Sequence, residues 1–358
     1  PTFIEPEYDE DLGMALGVEP ARLAGLLAAN PQVKAAFIVS PTYYGLTADI
    51  AGCVEVAHGA GVALIVDQSW GAHLGFSPLL PPSAVGLGAD AVLTSTHKLG
   101  GSMTQSAILH LCSDERIDEQ ALVRAIRILR STSQNTLLIA SLDAARRQLA
   151  TRGSEILSET IELLAETRGR LAQIELIELV DESFVGRPGI AGFDPLRIVI
   201  DVRAVGLTGL DFAEAMRSRH DIHAEMATHA TAVFMAGPGE SRERLNRLVE
   251  GVEETVSAVA KPSEPITPIR RPAPSGGCVV PPREAFLGKA EVVAIDDAVG
   301  RISCESIAGY PPGIPALLPG ERVTAEVVAH LREILAAGSR LHGASDPGLG
   351  TVAVLAED

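Results

Sequence analysis

Two stretches decide the fold predicted for this 358-residue chain: Val-Ala-Leu-Ile-Val-Asp at residues 62–67 and Asp-Ala-Val-Leu-Thr-Ser-Thr-His-Lys at residues 90–98. Each contains a short apolar run and ends in polar side chains. Such runs are typical of strands buried on both faces, as in parallel sheets covered by helices. We therefore predict an α/β domain built on a mostly parallel sheet with helices on both faces.

The alternation of strand and helix patterns continues outward from these two segments. Further strands are predicted at 34–40, 106–111, 196–202, 222–226 and 230–235, and helices at 47–60, 210–219, 241–258 and through much of 114–171. Near the end of the chain, residues 325–337 show a helical pattern that Thr324 is placed to cap and Gly338 to end. The sequence thus indicates two α/β units followed by a smaller unit.

Domain boundaries follow from these patterns and from one change of composition. Residues 261–278 are rich in Pro, Ser and Gly, which is typical of a linker. We assign a partial large domain to residues 1–185, a small α/β domain to 186–260 and a C-terminal α+β domain to 279–358. The chain begins with Pro rather than Met, and we interpret it as a fragment of a longer protein.

The composition argues against several classes of protein. The formal net charge of −17 opposes binding to nucleic acid or anionic membranes and attracts small cations. No run approaches the roughly 18 apolar residues of a membrane-spanning helix, and no cysteine or histidine spacing is typical of a metal site. The four cysteines are scattered, as expected for reduced thiols. We expect a cytoplasmic globular protein with no metal, nucleic-acid or membrane partner.

The chemistry suggested by the sequence rests on Asp67 and Lys98, which end or follow predicted strands, where open α/β sheets bind ligands. Taken singly, an aspartate there is commonly a cap and a loop lysine is usually solvated. Together they suit pyridoxal phosphate, because the lysine amine can form a Schiff base and the carboxylate can keep the pyridine nitrogen protonated. The ring then accepts the electrons left when a bond to substrate Cα breaks.

Several blocks around these residues resemble the pyridoxal-phosphate-dependent ornithine, lysine and arginine decarboxylases, which have the aspartate-aminotransferase-like fold, fold type I. The resemblance extends from about Phe3 to Val354. The matching blocks are Ser-Pro-Thr-Tyr-Tyr-Gly at 40–45, Val-Asp-Gln-Ser-Trp-Gly-Ala-His at 66–73, Ser-Thr-His-Lys at 95–98, Thr-Gln-Ser at 104–106, Ser-Thr-Ser at 131–133, Tyr-Pro-Pro-Gly-Ile-Pro at 310–315, Pro-Gly-Glu at 319–321 and Gly-Ala-Ser-Asp-Pro-Gly at 343–348.

The resemblance implies a role for individual residues. Lys98 matches the Schiff-base lysine, Asp67 the partner of the pyridine nitrogen, and His97 a residue beside the reacting centre. The other cofactor contacts that it implies are Ser69 and Trp70 at the ring, Ser95 beside the phosphate, Thr42 near the ring hydroxyl, and Ser133, which matches a segment reaching the cofactor of the partner subunit.

Some positions depart from the family pattern or allow a second interpretation. Trp70 stands where the family often has His, and a core role explains it equally well; His73 is better interpreted as a structural hydrogen-bonding residue than as an acid or base. A basic substrate needs carboxylates, and Glu305 and Asp346 are the candidates, with Glu321 nearby, although each is commonly a solvated or capping acid. The family's phosphate-binding loop and ring-stacking residue are absent, so we expect this chain alone to hold the cofactor weakly.

The sequence therefore predicts a lyase that decarboxylates arginine, lysine or ornithine as a homodimer or higher homo-oligomer. Two alternatives stay open at this point. Another fold-type-I enzyme, such as an aminotransferase, would share Asp67 and Lys98 but would need a pocket arginine for the substrate α-carboxylate. A truncated, non-catalytic relative would assemble only with a complete partner.

Overall fold

The computed structural model of the chain describes residues 2–259, 266–267, 269, 277–310 and 313–357. The predicted linker at 261–278 lies mostly outside these described residues. The first part of the chain contains these elements: β1 (Tyr8–Asp9), β2 (Met14–Ala15), α1 (Pro20–Ala29), β3 (Ala35–Val39), β4 (Leu46–Thr47), α2 (Ile50–Gly59), β5 (Ala63–Asp67), β6 (Ala91–Thr94), α3 (Thr96–Leu99), β7 (Ile108–Leu111), α4 (Glu119–Leu129) and α5 (Thr136–Leu171).

A four-stranded sheet of order β3-β5-β6-β7 organises this part of the chain. The first three strands are parallel and β7 is antiparallel to β6. The predicted strands at 34–40, 62–67, 90–94 and 106–111 are therefore confirmed, with ends that differ by up to two residues. Fully buried apolar side chains of β5 and β6, such as Leu64, Val66 and Val92, explain why the sequence signal was strong here.

The next part of the chain forms a second sheet, covered by helices. Its elements are β8 (Glu178–Val180), β9 (Gly192–Phe193), β10 (Arg197–Asp201), α6 (Gly209–His220), β11 (Met226–Ala227), β12 (Thr231–Met235) and α7 (Arg242–Ser257). Strands β11, β12, β10 and β8 lie side by side in that order, and every pair is antiparallel. The long helix α5 places a buried stripe, including Leu157 and Leu164, in the same core as Phe212 of α6.

One strand prediction in this second sheet is wrong. Residues 222–226 were expected to be extended, but only Met226–Ala227 pairs in the sheet. The preceding residues complete the end of α6 instead: Asp221 adopts the left-handed conformation, and the Ile222 N–H donates to the Met216 carbonyl, 3.2 Å away. The start of the segment that the apolar pattern assigned to a strand therefore forms the end of helix α6 instead.

The last part of the chain forms an α+β unit. Its elements are α8 (Pro282–Leu287), β13 (Ala290–Ala294), β14 (Ile307–Tyr310), β15 (Pro315–Leu317), α9 (Ala325–Ala336), β16 (Arg340–His342) and β17 (Thr351–Leu355). Helix α9 confirms the prediction at 325–337, because Thr324 Oγ1 accepts the Val327 N–H at 3.2 Å and Gly338 follows with a positive φ of 91°. Among the described residues, no helix is both long and apolar enough to cross a membrane.

Candidate active site

Asp67 and Lys98 are brought together by two neighbouring parallel strands. Asp67 is the last residue of β5 and pairs with Leu93 of β6. Strand β6 ends one residue later, and Lys98 lies in the short helix α3 that follows it. The carboxyl ends of parallel strands meet at one edge of a sheet. The two side chains consequently interact electrostatically at this edge.

The amine of Lys98 rests on an aromatic ring and has no close carboxylate. Its Nζ lies 3.7 Å from the centroid of the Trp70 ring, and no described carboxylate comes within 4.0 Å of it. Burial lowers the pKa of Lys98; the charges of Asp67 and Glu225 oppose this shift, and Arg197 adds to it. This environment favours the neutral, nucleophilic amine relative to an exposed lysine.

Asp67 is oriented by Ser69, two residues further along the chain. The Ser69 N–H donates to Oδ1 of Asp67 at 2.9 Å, and the Ser69 hydroxyl donates to the same oxygen. Within the described residues nothing donates to Oδ2 of Asp67, so this oxygen is available to a ligand. The predicted contact of Ser69 with the cofactor ring stays a prediction, while its hydrogen bonds give it a role in holding the aspartate.

Three other predicted residues surround the same edge of the sheet. His97 precedes Lys98, and its Nδ1 lies 2.8 Å from the Ser106 carbonyl. Ser95 directly precedes α3 at the N-cap position, and its hydroxyl makes no capping hydrogen bond to that helix. Thr42, in the turn after β3, accepts the Leu46 N–H on its hydroxyl at 3.3 Å. Their positions are compatible with the predicted cofactor contacts, which stay predictions.

A fully buried arginine, which the sequence analysis did not identify, supports the aromatic residues beside Lys98. Arg197 begins β10 and donates through Nη2 to the Trp70 carbonyl at 3.3 Å and through Nε to the Tyr43 carbonyl at 3.2 Å. The Tyr43 and Trp70 rings are in contact, with centroids 4.8 Å apart. Arg197 therefore fixes the backbone of both aromatic residues. Its only sequence signal was a charge inside an apolar strand pattern.

The charge of Arg197 is balanced by Asp194, which is also fully buried. Asp194 Oδ2 lies 3.2 Å from Arg197 Nη1 and 3.1 Å from His73 Nε2, and Oδ1 accepts the Leu196 N–H. Burial by itself would raise the pKa of Asp194, but His73 and Arg197 outweigh that effect and lower it. His73, which we predicted to be structural, contacts this buried carboxylate.

The second sheet and strand β14 in the last part of the chain each add a residue to the surroundings of Lys98. Glu225, immediately before β11, interacts electrostatically with Lys98, Arg197 and Tyr43. Tyr310, the last residue of β14, interacts with Tyr43. Burial raises the pKa of Tyr43, and both of these neighbours reinforce the shift, so its phenol stays protonated near neutral pH. Neither interaction was predicted, because both depend on how distant segments of the chain come together.

The predicted substrate carboxylates in the last part of the chain are engaged within their own unit. Glu305 is buried, and its two oxygens accept the N–H groups of Ser345 at 3.2 Å and Ala353 at 3.0 Å. Asp346 accepts the N–H groups of Gly348 and Thr351, each at 2.9 Å, and these bonds lower its pKa.

Glu321 likewise accepts the Leu318 N–H at 2.9 Å. These contacts favour the capping interpretation of all three acids over a substrate contact.

Ser133 has no contact with the other predicted site residues among those that the structure describes. It is exposed in the segment between α4 and α5, and its N–H donates to the Ser131 hydroxyl at 3.2 Å. A role toward a partner subunit stays a prediction, and the exposure of this segment leaves it accessible to one.

The residues at this edge fit pyridoxal phosphate. An amine without an ion pair and a carboxylate oxygen without a donor are the two groups that the aldehyde and the pyridine nitrogen require, and they stand at adjacent strand ends. Ser95 and the buried hydroxyl of Thr96, which has no described hydrogen-bond partner, add polar groups beside Lys98. Lys98 and Asp67 would therefore hold the cofactor.

Comparison with solved structures defines the class of fold. The chain is similar to the constitutive lysine decarboxylase of Escherichia coli, with a TM-score of 0.78 at 18% identity, over 99% of this chain and 64% of that one. Aminotransferase structures are similar over smaller parts, among them an alanine–glyoxylate aminotransferase from Nostoc with a TM-score of 0.52. The predicted fold type I of pyridoxal-phosphate enzymes is thereby confirmed.

The particular family follows from sequence comparison. A family model described as Orn/Lys/Arg decarboxylase, major domain, matches residues 1–244, and a model of the C-terminal domain matches residues 279–350. Arginine decarboxylases of Bacillus subtilis and Halalkalibacterium halodurans are 36% and 34% identical over all 358 residues, which span 73% of each. This chain belongs to the Orn/Lys/Arg decarboxylase family, and the prediction of an amino-acid decarboxylase is confirmed at this level.

Proposed function

We propose that this protein decarboxylates arginine to agmatine and carbon dioxide, with pyridoxal phosphate bound through Lys98. One observation carries the proposal: the Lys98 amine, which lies on the Trp70 ring, and the Asp67 carboxylate stand at the ends of adjacent parallel strands. Two relatives named arginine decarboxylase, each similar over the whole of this chain, support the choice of arginine over lysine or ornithine. When bound, the cofactor supplies an electron sink for the pair released from the bond between Cα and the carboxylate.

The residues around Lys98 have separate tasks in this reaction. Asp67 would hold a proton at the pyridine nitrogen of the bound cofactor, and Ser69 keeps the Asp67 carboxylate in place through two hydrogen bonds. Trp70 presents aromatic surface to the amine, and the Tyr43 ring packs against Trp70. The Lys98 amine would deliver a proton to substrate Cα after carbon dioxide has left.

Arg197 favours decarboxylation over amino-group transfer. A transaminating site needs an arginine whose guanidinium can bind the substrate α-carboxylate. The guanidinium of Arg197 is fully buried and already donates to Asp194 and to the carbonyls of Tyr43 and Trp70. Three of its five N–H groups are engaged in these bonds and the group is fully buried, so it is not free to bind a substrate α-carboxylate as an aminotransferase would require.

The test measures decarboxylation and amino-group transfer by the protein with its cofactor bound. Wild-type protein should release carbon dioxide and agmatine in equal amounts from arginine and should show the visible absorbance of lysine-bound pyridoxal phosphate. Lys98→Ala should lose both, whereas Lys289→Ala, a change of an exposed lysine in the last part of the chain, should keep both. Transfer of the amino group without carbon dioxide would identify an aminotransferase, and an unchanged Lys98→Ala spectrum would refute the assignment of Lys98.

We further propose that the protein acts as a homodimer or larger homo-oligomer. Helix α4 is amphipathic, yet it contains no buried residue, and Ile128 and Leu129 are 82% and 85% exposed. Leu137, at the start of α5, is 67% exposed, and Ser133 lies between the two helices. A second copy of the chain covering this apolar surface would bring Ser133 toward a partner's site. Sedimentation of a Leu129→Glu variant should show smaller particles than wild type.

We also propose a cytoplasmic location. The described cysteines Cys53, Cys112, Cys278 and Cys304 are all unpaired, and two of them, Cys112 and Cys278, are exposed. Exposed free thiols suit a reducing compartment. Fractionation of cells that produce the protein would test this proposal directly.

A further inference from the structure

In the described part of the chain, the Lys98 amine makes a close contact with the Trp70 indole and no hydrogen bond or ion pair. Its Nζ lies 3.7 Å from the centroid of the ring. An ammonium is attracted to an aromatic face from as far as about 6 Å, and most strongly to that of tryptophan. The indole is therefore positioned to hold the amine of Lys98 through a cation–π interaction.

The Trp70 ring is fixed in place by its own surroundings. The side chain is buried, with only 7% of its surface exposed, and the Tyr43 ring packs against it with a centroid distance of 4.8 Å. The Trp70 carbonyl accepts Nη2 of Arg197 at 3.3 Å, and the Tyr43 carbonyl accepts Nε of the same guanidinium at 3.2 Å. Because the ring is already ordered, little conformational entropy is lost when the amine settles on it.

An aromatic face suits an amine that must react better than a carboxylate partner would. Burial lowers the pKa of Lys98; the charges of Asp67 and Glu225 oppose this shift, and Arg197 adds to it. The Arg197 guanidinium also lies 5.3 Å from the centroid of the Trp70 ring. The negative face of an indole attracts an ammonium without accepting a full charge-assisted hydrogen bond. Such a partner holds the nitrogen in place yet leaves no strong bond to break when it reacts.

We propose that Trp70 is a positioning residue whose ring holds the uncombined Lys98 amine at the edge of the first sheet. The inference rests on the proposed function for its timing, since in that reaction the amine is free before the cofactor is loaded and again while the substrate takes its place. A free lysine side chain would otherwise rotate toward solvent. The ring keeps the nitrogen near the atoms with which it must react next.

The composition of the chain allows this contact to be altered without a change of shape. Trp70 is the only tryptophan, so a fluorinated tryptophan supplied during expression changes this ring alone. Fluorine atoms withdraw electron density from the face of the indole and hardly change its size. The chain has four lysines, Lys34, Lys98, Lys261 and Lys289, so carbon-13 at Cε gives few NMR signals, and Lys98→Met identifies that of Lys98. Titration of the cofactor-free protein then gives the pKa of each amine.

We expect the pKa of Lys98 to fall stepwise as fluorine atoms are added, because a weaker ring face stabilises the ammonium less. Complete loss of the attraction should raise the acid dissociation constant of this ammonium roughly 2- to 30-fold. The amines of Lys34 and Lys289 are exposed and serve as internal controls, whose pKa should not change. With one fluorine on Trp70, its fluorine-19 signal should titrate with the midpoint of Lys98 and should not titrate in Lys98→Met.

The outcomes separate this inference from the proposed function. A pKa of Lys98 that is the same with every analogue, or that moves together with those of Lys34 and Lys289, would overturn the role of Trp70. If wild-type protein releases no carbon dioxide from arginine but the pKa of Lys98 follows the number of fluorine atoms, the proposed function fails and the ring contact stands. If it releases carbon dioxide and this pKa ignores fluorination, Trp70 does not hold the amine and the proposed function stands.

Discussion

Replacing Asp194 by Asn should destabilise the protein strongly although the new side chain has nearly the same shape. Asp194 and Arg197 are both fully inaccessible to solvent, and the carboxylate also accepts the Leu196 N–H. Asn retains that hydrogen bond but leaves the Arg197 guanidinium as an uncompensated buried charge. Breaking a buried pair in this way costs about 3–5 kcal/mol. We expect the lower end of this range, since two backbone carbonyls still accept from Arg197.

Urea unfolding followed by circular dichroism measures this effect. With a urea dependence of about 3 kcal/mol per molar, a loss of about 3 kcal/mol lowers the unfolding midpoint by about 1 M. Asp143→Asn is the control. The Asp143–Arg146 pair is exposed, so breaking it should leave the unfolding midpoint unchanged. If Asp194→Asn unfolds at the wild-type midpoint, Arg197 is not held by charge pairing and its role in supporting Trp70 is wrong.

The same substitution carries a pH signature. The pKa of Asp194 in the folded protein is lower than in the unfolded chain, where it is about 3.9. Its stabilising contribution is therefore fully present above about pH 4 and is lost as pH falls through the folded-state value. The difference in midpoint between wild type and Asp194→Asn should shrink on acidification. A difference that grows instead would contradict the sign of this shift.

Three further predictions concern stability in other parts of the molecule. Glu305→Gln should cost about 1–3 kcal/mol by leaving one of the N–H groups of Ser345 and Ala353 without an acceptor, with no change in KM for arginine; a raised KM would restore Glu305 as a substrate contact. Leu331→Ala, in the core under α9, should cost about 2–5 kcal/mol, and a loss below 1 kcal/mol would contradict that packing. Lys98→Met should stabilise the cofactor-free protein at pH 7, because folding lowers the pKa of Lys98 and disfavours its charge. That gain should vanish as pH rises toward about 10.4, and a gain that is constant with pH would refute it.

Local sequence patterns correctly predicted the strands of the first sheet and the positions of Asp67 and Lys98 at the ends of two of them. Strands β5 and β6 have short apolar runs whose ends are fixed by polar residues, so their bounds can be inferred without knowing what packs on them. Asp67 and Lys98 are 31 residues apart, and the intervening chain returns to the adjacent strand. The approach of these residues at one sheet edge follows from strand order, which the α/β pattern implies.

The other wall of the site could not be predicted in this way. Arg197 and Tyr43 are separated by 154 residues of chain, and their contact depends on how the second sheet docks on the first. Glu225 has no local pattern at all, because its neighbours come from three segments. The error at 222–226 has the same origin, since the end of α6 and the start of β11 compete for those residues.

Trp70 is the only tryptophan in the chain, and its ring lies 3.7 Å from the amine that we assign to the cofactor. Its intrinsic fluorescence is therefore emitted from the candidate active site alone, with no background from elsewhere in the protein. Quenching by energy transfer to an absorbing cofactor would make loading visible in real time and without a label. The same emission would register whether substitutions at Arg197 or Glu225 disturb the aromatic wall before any turnover is measured.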